Sequence, residues 1–164
     1  MTDVLPASDA AKVVEHERLL QFDAFDETTA WELGTRIRTE ALSMDASVLI
    51  DIRIADHCVF SCALPGTGPD NADWARRKRN LVNLLHTSSY AIALQVARGE
   101  DPLGIRGLHA RDYAPAGGCF PIRVKGVGFI GTATVSGLPM REDHKLVVNA
   151  IAAMLNVELG DSKF

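Results

Sequence analysis

The chain has 164 residues, 47% of them apolar and 23% charged, with a formal net charge of −4. That is the size and balance of one ordinary globular domain, able to build its core without disulfides or a structural metal. The acidic balance argues against non-specific binding to nucleic acid or an anionic membrane surface. No apolar run approaches the ~20 residues that span a bilayer, and Met-Thr-Asp-Val-Leu-Pro lacks the basic start and apolar stretch of a secretory signal, so none is expected. A cytoplasmic protein is therefore expected.

Residues 1–7 read as a loose end. Ser8 or Asp9 then caps a first helix that carries Val13, Val14, Leu19, Leu20 and Phe22. A second helix starts near Asp26, with acidic residues in its first turn and Trp31, Leu33, Ile37, Ala41 and Leu42 as its buried stripe. Residues 48–54 are rich in β-branched residues and predict a strand. Ala55-Asp56-His57 turns it, and 58–64 return as its hairpin partner. The breaker cluster Pro65-Gly-Thr-Gly-Pro69 precedes a helix capped by Asp70 or Asn71. That helix carries Trp74, Arg76-Arg77-Lys78-Arg79, Leu81, Val82, Leu84 and Leu85. Thr87-Ser88-Ser89 caps another helix over Tyr90–Arg98. Residues 99–116 lack periodicity and read as a long loop with one short turn. Residues 121–125 and 129–136 form a second hairpin, and a last helix starts at Gly137-Leu-Pro139. Its buried face holds Leu146, Val147, Ala150, Ile151, Met154 and Leu155.

The order α-α-β-β-α-α-β-β-α, with two hairpins separated by helices, predicts an α/β (α+β) domain on an antiparallel sheet. A single domain is expected over 8–158, with 1–7 and 159–164 as loose termini. Cys58, Cys62 and Cys119 are an odd count without a Cys-x-x-Cys pair, and read as reduced thiols.

Several strings together resemble a known family. They are Ala63-Leu-Pro-Gly-Thr, Pro69-Asp-Asn, Asp73-Trp, Arg76-Arg-Lys-Arg, Ser88-Ser-Tyr and Asp112-Tyr113. Gly117-Gly-Cys-Phe-Pro-Ile-Arg-Val and Gly131-Thr-Ala-Thr-Val-Ser-Gly-Leu-Pro, followed by Glu142-Asp-His, complete the set. From about residue 15 to 155 the chain is similar to an uncharacterised branch of the haem-degrading-domain superfamily, the GlcG-, HbpS- and PduO C-terminal-like proteins. The resemblance implies a profilin-like three-layer α/β/α fold and a homo-oligomer built on a dimer. It also implies haem or a cobalamin-related molecule among the candidate ligands, and, for eukaryotic members of the branch, a link to insertion of tail-anchored proteins. The superfamily pattern often places His just before the Gly-Gly pair; Pro115-Ala116 stand there in this chain.

The residues that can carry chemistry each have two readings. Gly117 and Gly118, ahead of Phe120, let the backbone approach a ligand or form an anion nest, or they make a tight turn into a strand. Ser136-Gly137, at a strand-to-helix junction, presents free amides to an anion or is a plain cap. Tyr113 and Arg123 are candidate pocket groups or structural donors. Asp143 and His144 lie in the first turn of the last helix. The five histidines hold no helical i, i+4 metal pair. Trp74, Arg76, Arg77 and Lys78 form a subunit interface, a clamp for an acidic ligand, or a solvated face paired with Asp70 and Asp73. No nucleophile–base constellation and no metal site stand out. The leading expectation is an oligomeric module binding haem or another anionic ligand. An adaptor that shows an oligomeric surface to a protein partner, and an enzyme acting on a tetrapyrrole, are the alternatives.

Overall fold

The computed structural model describes residues 5–164; the rest of the expected N-terminal loose end lies outside the described residues. Five helices and four strands run in the expected order: α1 (Asp9–Leu19), α2 (Glu27–Ser43), β1 (Leu49–Ile54), β2 (His57–Ala63), α3 (Pro69–Leu85), α4 (Ser89–Ala97), β3 (Cys119–Val124), β4 (Gly128–Ser136) and α5 (Met140–Leu155). Short 3-10 turns occupy Gly104–Arg106 and Gly160–Ser162. The strands form one antiparallel sheet in the order β2-β1-β4-β3. Helices α2 and α5 cover one face; α3 and α4 cover the other, and α1 packs outside α4. The fold is the expected three-layer α/β/α arrangement. Among the described residues no helix is long and apolar enough to cross a membrane.

The two faces of the sheet differ in chemistry because side chains alternate along each strand. Ile50, Ile52, Phe120, Ile122, Ala133 and Val135 are buried against Leu33, Ile37, Leu146, Val147 and Ile151 in the main core. The other face carries Asp51, Cys119, Thr132, Thr134 and Ser136, all buried beneath α3. Register sets Asp51 opposite Thr134 and Thr134 opposite Cys119. A helix laid on this polar face must bring polar partners, and the Arg76–Arg79 run is that supply.

Several expected boundaries and burials move. Gly68, not Asp70 or Asn71, is the N-cap of α3; Asn71 instead turns back and accepts from the Gly68 amide at 2.8 Å. The first hairpin turns on Ala55 and Asp56 alone, both at positive φ, so His57 already belongs to β2. β3 begins at Cys119, two residues early, and tolerates Pro121 because it is an edge strand. Val14, Trp31 and Leu42 are exposed rather than buried; the Trp31 ring leans on Phe60 from outside, at 5.6 Å between centroids. On α1 the buried stripe is Asp9, Val13 and His16, two of them polar. The expectation of a loose C-terminal end is corrected. Ser162 is buried, His16 Nε2 lies 2.7 Å from its carbonyl, and the Phe164 ring packs on His16.

Candidate functional site

The site is a crevice of about 290 Å³ where the start of α3 meets the β4–α5 junction. Asn71, Trp74, Ala116, Gly137 and Met140 are among its walls, Asp70 stands on its exposed side, and Lys78 and Asp143 reach it from below. Lys78 and Asp143 form a buried ion pair at 2.9 Å, with side chains 4% and 1% exposed. The Lys78 ammonium also donates to the Val135 carbonyl at 3.2 Å. An ammonium has three hydrogens, so one remains unassigned.

Asp143 occupies the helix start that the sequence offers to an anion. Its Oδ1 accepts from the Leu138 amide at 2.9 Å and its Oδ2 from the Gly137 amide at 3.3 Å. The free amides expected for an incoming anion are therefore already capped by the chain's own carboxylate. Burial pushes the Asp143 carboxyl up, against the opposing pull of Lys78 and the two amides. A buried carboxylate survives here because a cation and two N–H groups converge on it.

The glycine pair is explained by the same crowding. A side chain on Gly117 would collide with the Met140 carbonyl and the Tyr90 ring. Gly118 sits at φ +125°, where a Cβ would collide with the Val135 carbonyl and lie 2.9 Å from the Lys78 ammonium. The glycines let the chain pass between Tyr90 and Lys78, as the turn reading requires. Next along, the Cys119 backbone is held by Ser89 Oγ. Burial pushes the Cys119 thiol up to about 12, so it stays protonated.

The basic run divides by direction. Lys78 goes inward to Asp143. Arg79 reaches Asp51 at 3.2 Å on the polar sheet face, and Asp56 at 3.5 Å. Arg76 binds Asp73 and Asp112, and Arg77 binds Asp73 while its guanidinium stacks on Trp74 at 4.0 Å. Asp73 is the partner where Asp70 was also expected. Each cation of the run meets a carboxylate of its own chain, which ties the loop at 110–112 to α3.

The structure thus brings together Trp74, Lys78, Gly118, Ser136, Gly137 and Asp143 from the expected set. It leaves others apart. Tyr113 is half-buried on the loop and does not line the crevice. Arg123 donates to the His86 carbonyl and faces Glu17, fixing the end of α3. Phe120 is core, and His144 is buried at 5.9 Å from the Phe120 ring. Leu138 and Met140 were not singled out by sequence, and Asn71 was named there only as a candidate helix cap. Asn71 alone had a signal, as a polar residue in the first turn of a predicted helix.

A wider groove of about 630 Å³ runs along α2 past Trp31, Arg36 and Met154. It is shallower in chemistry: none of its charged side chains is buried. Among the described residues no group of three or more His, Cys, Asp or Glu is placed to hold a metal ion.

The family model described as haem degrading protein HbpS-like matches residues 25–152. The chain belongs to this family. Relatives of the HbpS-like chain include the UPF0303 protein of Acidobacterium capsulatum, 48% identical over 158 residues and covering 96% of each chain. The UPF0303 protein of Rhizobium etli is 48% identical over 152 residues, covering 93% of each. Among solved structures, the Ybr137w protein superimposes with a TM-score of 0.81 at 26% identity, covering 90% of this chain and 87% of that one. A PduOC:heme complex gives 0.69 at 19% identity, covering 79% and 94%, which establishes likeness of fold.

The family name raises haem, and the crevice can be tested against it. Its volume is at the low end of the ~300–1,000 Å³ typical of ligand pockets, with room for a small metabolite or one edge of a tetrapyrrole. Trp74 offers a flat wall and Lys78 a donor for a propionate. No imidazole or thiolate lines it, Ala116 standing where the superfamily pattern often has His. The lining does not fit a ligated haem iron, and no haem chemistry follows from it.

Proposed function

We propose that this chain is a small-molecule binding module whose ligand enters the crevice at the start of α3. The observation that carries this reading is the third hydrogen of Lys78, on a buried ammonium with two of its three donors assigned. A carboxylate or carbonyl oxygen of the ligand takes that hydrogen, and the flat part of the ligand lies along Trp74. Because Lys78 is shared with Asp143, the ligand adds an acceptor to an existing pair rather than supplying the only counter-charge. Haem, entering by a propionate edge, is one such ligand; a compact flat carboxylate such as benzoate is another.

Titration of the purified protein with haemin tests the haem version. A saturable Soret shift that Trp74→Ala weakens at least tenfold supports propionate-edge binding of haem at this crevice. No saturable shift removes haem from the reading, and saturable benzoate binding that Trp74→Ala abolishes then keeps the site.

We also infer a homo-oligomer built on a dimer, for which the 64% exposed Trp31 beside the α2 groove offers a single aromatic anchor on an otherwise polar face. Light scattering that returns a monomer contradicts it.

A further inference from the structure

A second polar cluster lies outside the crevice. His16 of α1 and His144 of α5 are fully buried, with His16 Nδ1 3.3 Å from His144 Nε2. His16 Nε2 lies 2.7 Å from the Ser162 carbonyl oxygen. A carbonyl only accepts, so His16 Nε2 carries its hydrogen and a neutral His16 offers Nδ1 as a lone pair. His144 Nε2–H then donates to it. His144 Nδ1 is left as a bare lone pair, and it has no hydrogen-bond partner. The result is a one-way relay from His144 to His16 to Ser162, in which both rings are neutral.

The segment 159–164 closes over this relay. Its 3-10 turn packs on α1, and Lys12 Nζ donates to the Lys163 carbonyl at 2.8 Å. The Phe164 ring stands edge-on to His16 at 5.0 Å and lies 5.7 Å from His144. Arg141 and Lys12 lie over that ring at 4.6 and 5.5 Å.

We propose that residues 159–164 form a strap latched on the neutral His16–His144 pair, and that proton uptake by the pair releases it. A proton added at His144 Nδ1 finds no acceptor; the rings of Tyr90, Phe120 and Phe164 surround that imidazole. A proton added at His16 Nδ1 meets the Nε2–H of His144. The relief is to move the His144 hydrogen to Nδ1, which buries an unpaired donor. Neighbouring charges offset burial only in part: Asp9 and Glu17 attract a proton on His16, and Lys12 opposes it. Asp9 of α1 is already bound by Arg141 of α5 at 2.7 Å and by the Tyr90 hydroxyl of α4 at 2.8 Å. Glu17 of α1 accepts from Thr87 and the Ser88 amide. Lys12 of α1 repels a positive charge added at His16.

Lifting the strap is the smallest movement that takes Ser162 and Phe164 off His16 and admits water. Burial holds both imidazoles below their ordinary value, His144 well below it. Groups depressed in the closed state favour it above the ordinary imidazole pKa, and that preference is lost as pH falls.

Amide hydrogen exchange on the labelled chain between about pH 7.5 and about pH 4.5, corrected for intrinsic rates, tests this directly. Protection at Ser162 and Lys163 is expected to fall about tenfold per pH unit below the imidazole range, one proton per opening, while α5 and β4 keep theirs. His16→Gln retains a donor for Ser162 without titrating, and His144→Phe keeps the ring; each flattens the slope. Strap protection that stays constant, that is lost together with α5 at one midpoint, or that keeps its slope in His16→Gln overturns the proposal. The wild-type slope decides by itself if a variant does not fold.

Discussion

Lys78→Met removes the ammonium while keeping the length and most of the volume of the side chain. Asp143 then remains at 1% exposure with two amides but no cation. Breaking a buried pair from one side costs about 3–5 kcal/mol, because the remaining charge is left uncompensated. In a domain of this size each kcal/mol lowers Tm by about 2–4 °C, so a loss of about 6–20 °C is expected. Adding Asp143→Leu removes the stranded charge. The double variant leaves the Gly137 and Leu138 amides uncapped, about 1 kcal/mol each, so its loss is smaller than that of Lys78→Met alone. Urea denaturation at neutral pH, followed by circular dichroism on all four proteins, gives the cycle. A Lys78→Met loss under about 1 kcal/mol, or single losses that simply add in the double variant, refutes the account of the pair.

Other consequences follow from the same structure. Gly118→Ala forces a Cβ into the Val135 carbonyl and against Lys78 at a positive φ, and is expected to cost about 2–6 kcal/mol in urea melts, strain and overpacking together. Burial alone would raise the Asp9 carboxyl, but the Arg141 and Tyr90 hydrogen bonds bring it below its ordinary value. Its contribution is therefore full above the ordinary carboxylate range and lost as pH falls through the lowered value; Arg141→Met should reduce stability at neutral pH by about 3 kcal/mol and weaken that acid dependence. Tyr90→Phe removes one donor from Asp9 and should cost about 1–2 kcal/mol in the same melts. Trp31→Ala, on the exposed α2 face, should leave chain stability within about 0.5 kcal/mol while shifting the light-scattering mass downward.

Much of this fold was legible from periodicity. The two hairpins carry alternation or β-branched runs, and α5 shows an apolar face at helical spacing, so element order and sheet type followed. What sequence could not show is which cations turn inward. Arg76, Arg77, Lys78 and Arg79 look alike in a string; only the polar sheet face beneath α3 separates Lys78 and Arg79 from their neighbours. The Ser136-Gly137 junction was correctly placed at a strand-to-helix turn, but its amides are met by Asp143, six residues downstream in the chain's own first helical turn. Asp9 and His16 were missed because a buried stripe was sought among apolar residues. Their spacing around Val13 was the available signal. The docking of residues 159–164 had none, since a short polar tail carries no period and its α1 partners lie more than 140 residues away.

The crevice reading stands on one measurement above the others. In the 15N-labelled protein, the Trp74 indole N–H and the amides of Ala116, Gly137 and Leu138 report the crevice, and the Trp31 indole reports the α2 groove. Titration with benzoate, then with haemin, is predicted to perturb the first group saturably and leave Trp31 unmoved. Perturbation centred on Trp31, or none at either tryptophan, contradicts the assignment of the ligand site to Lys78 and Asp143.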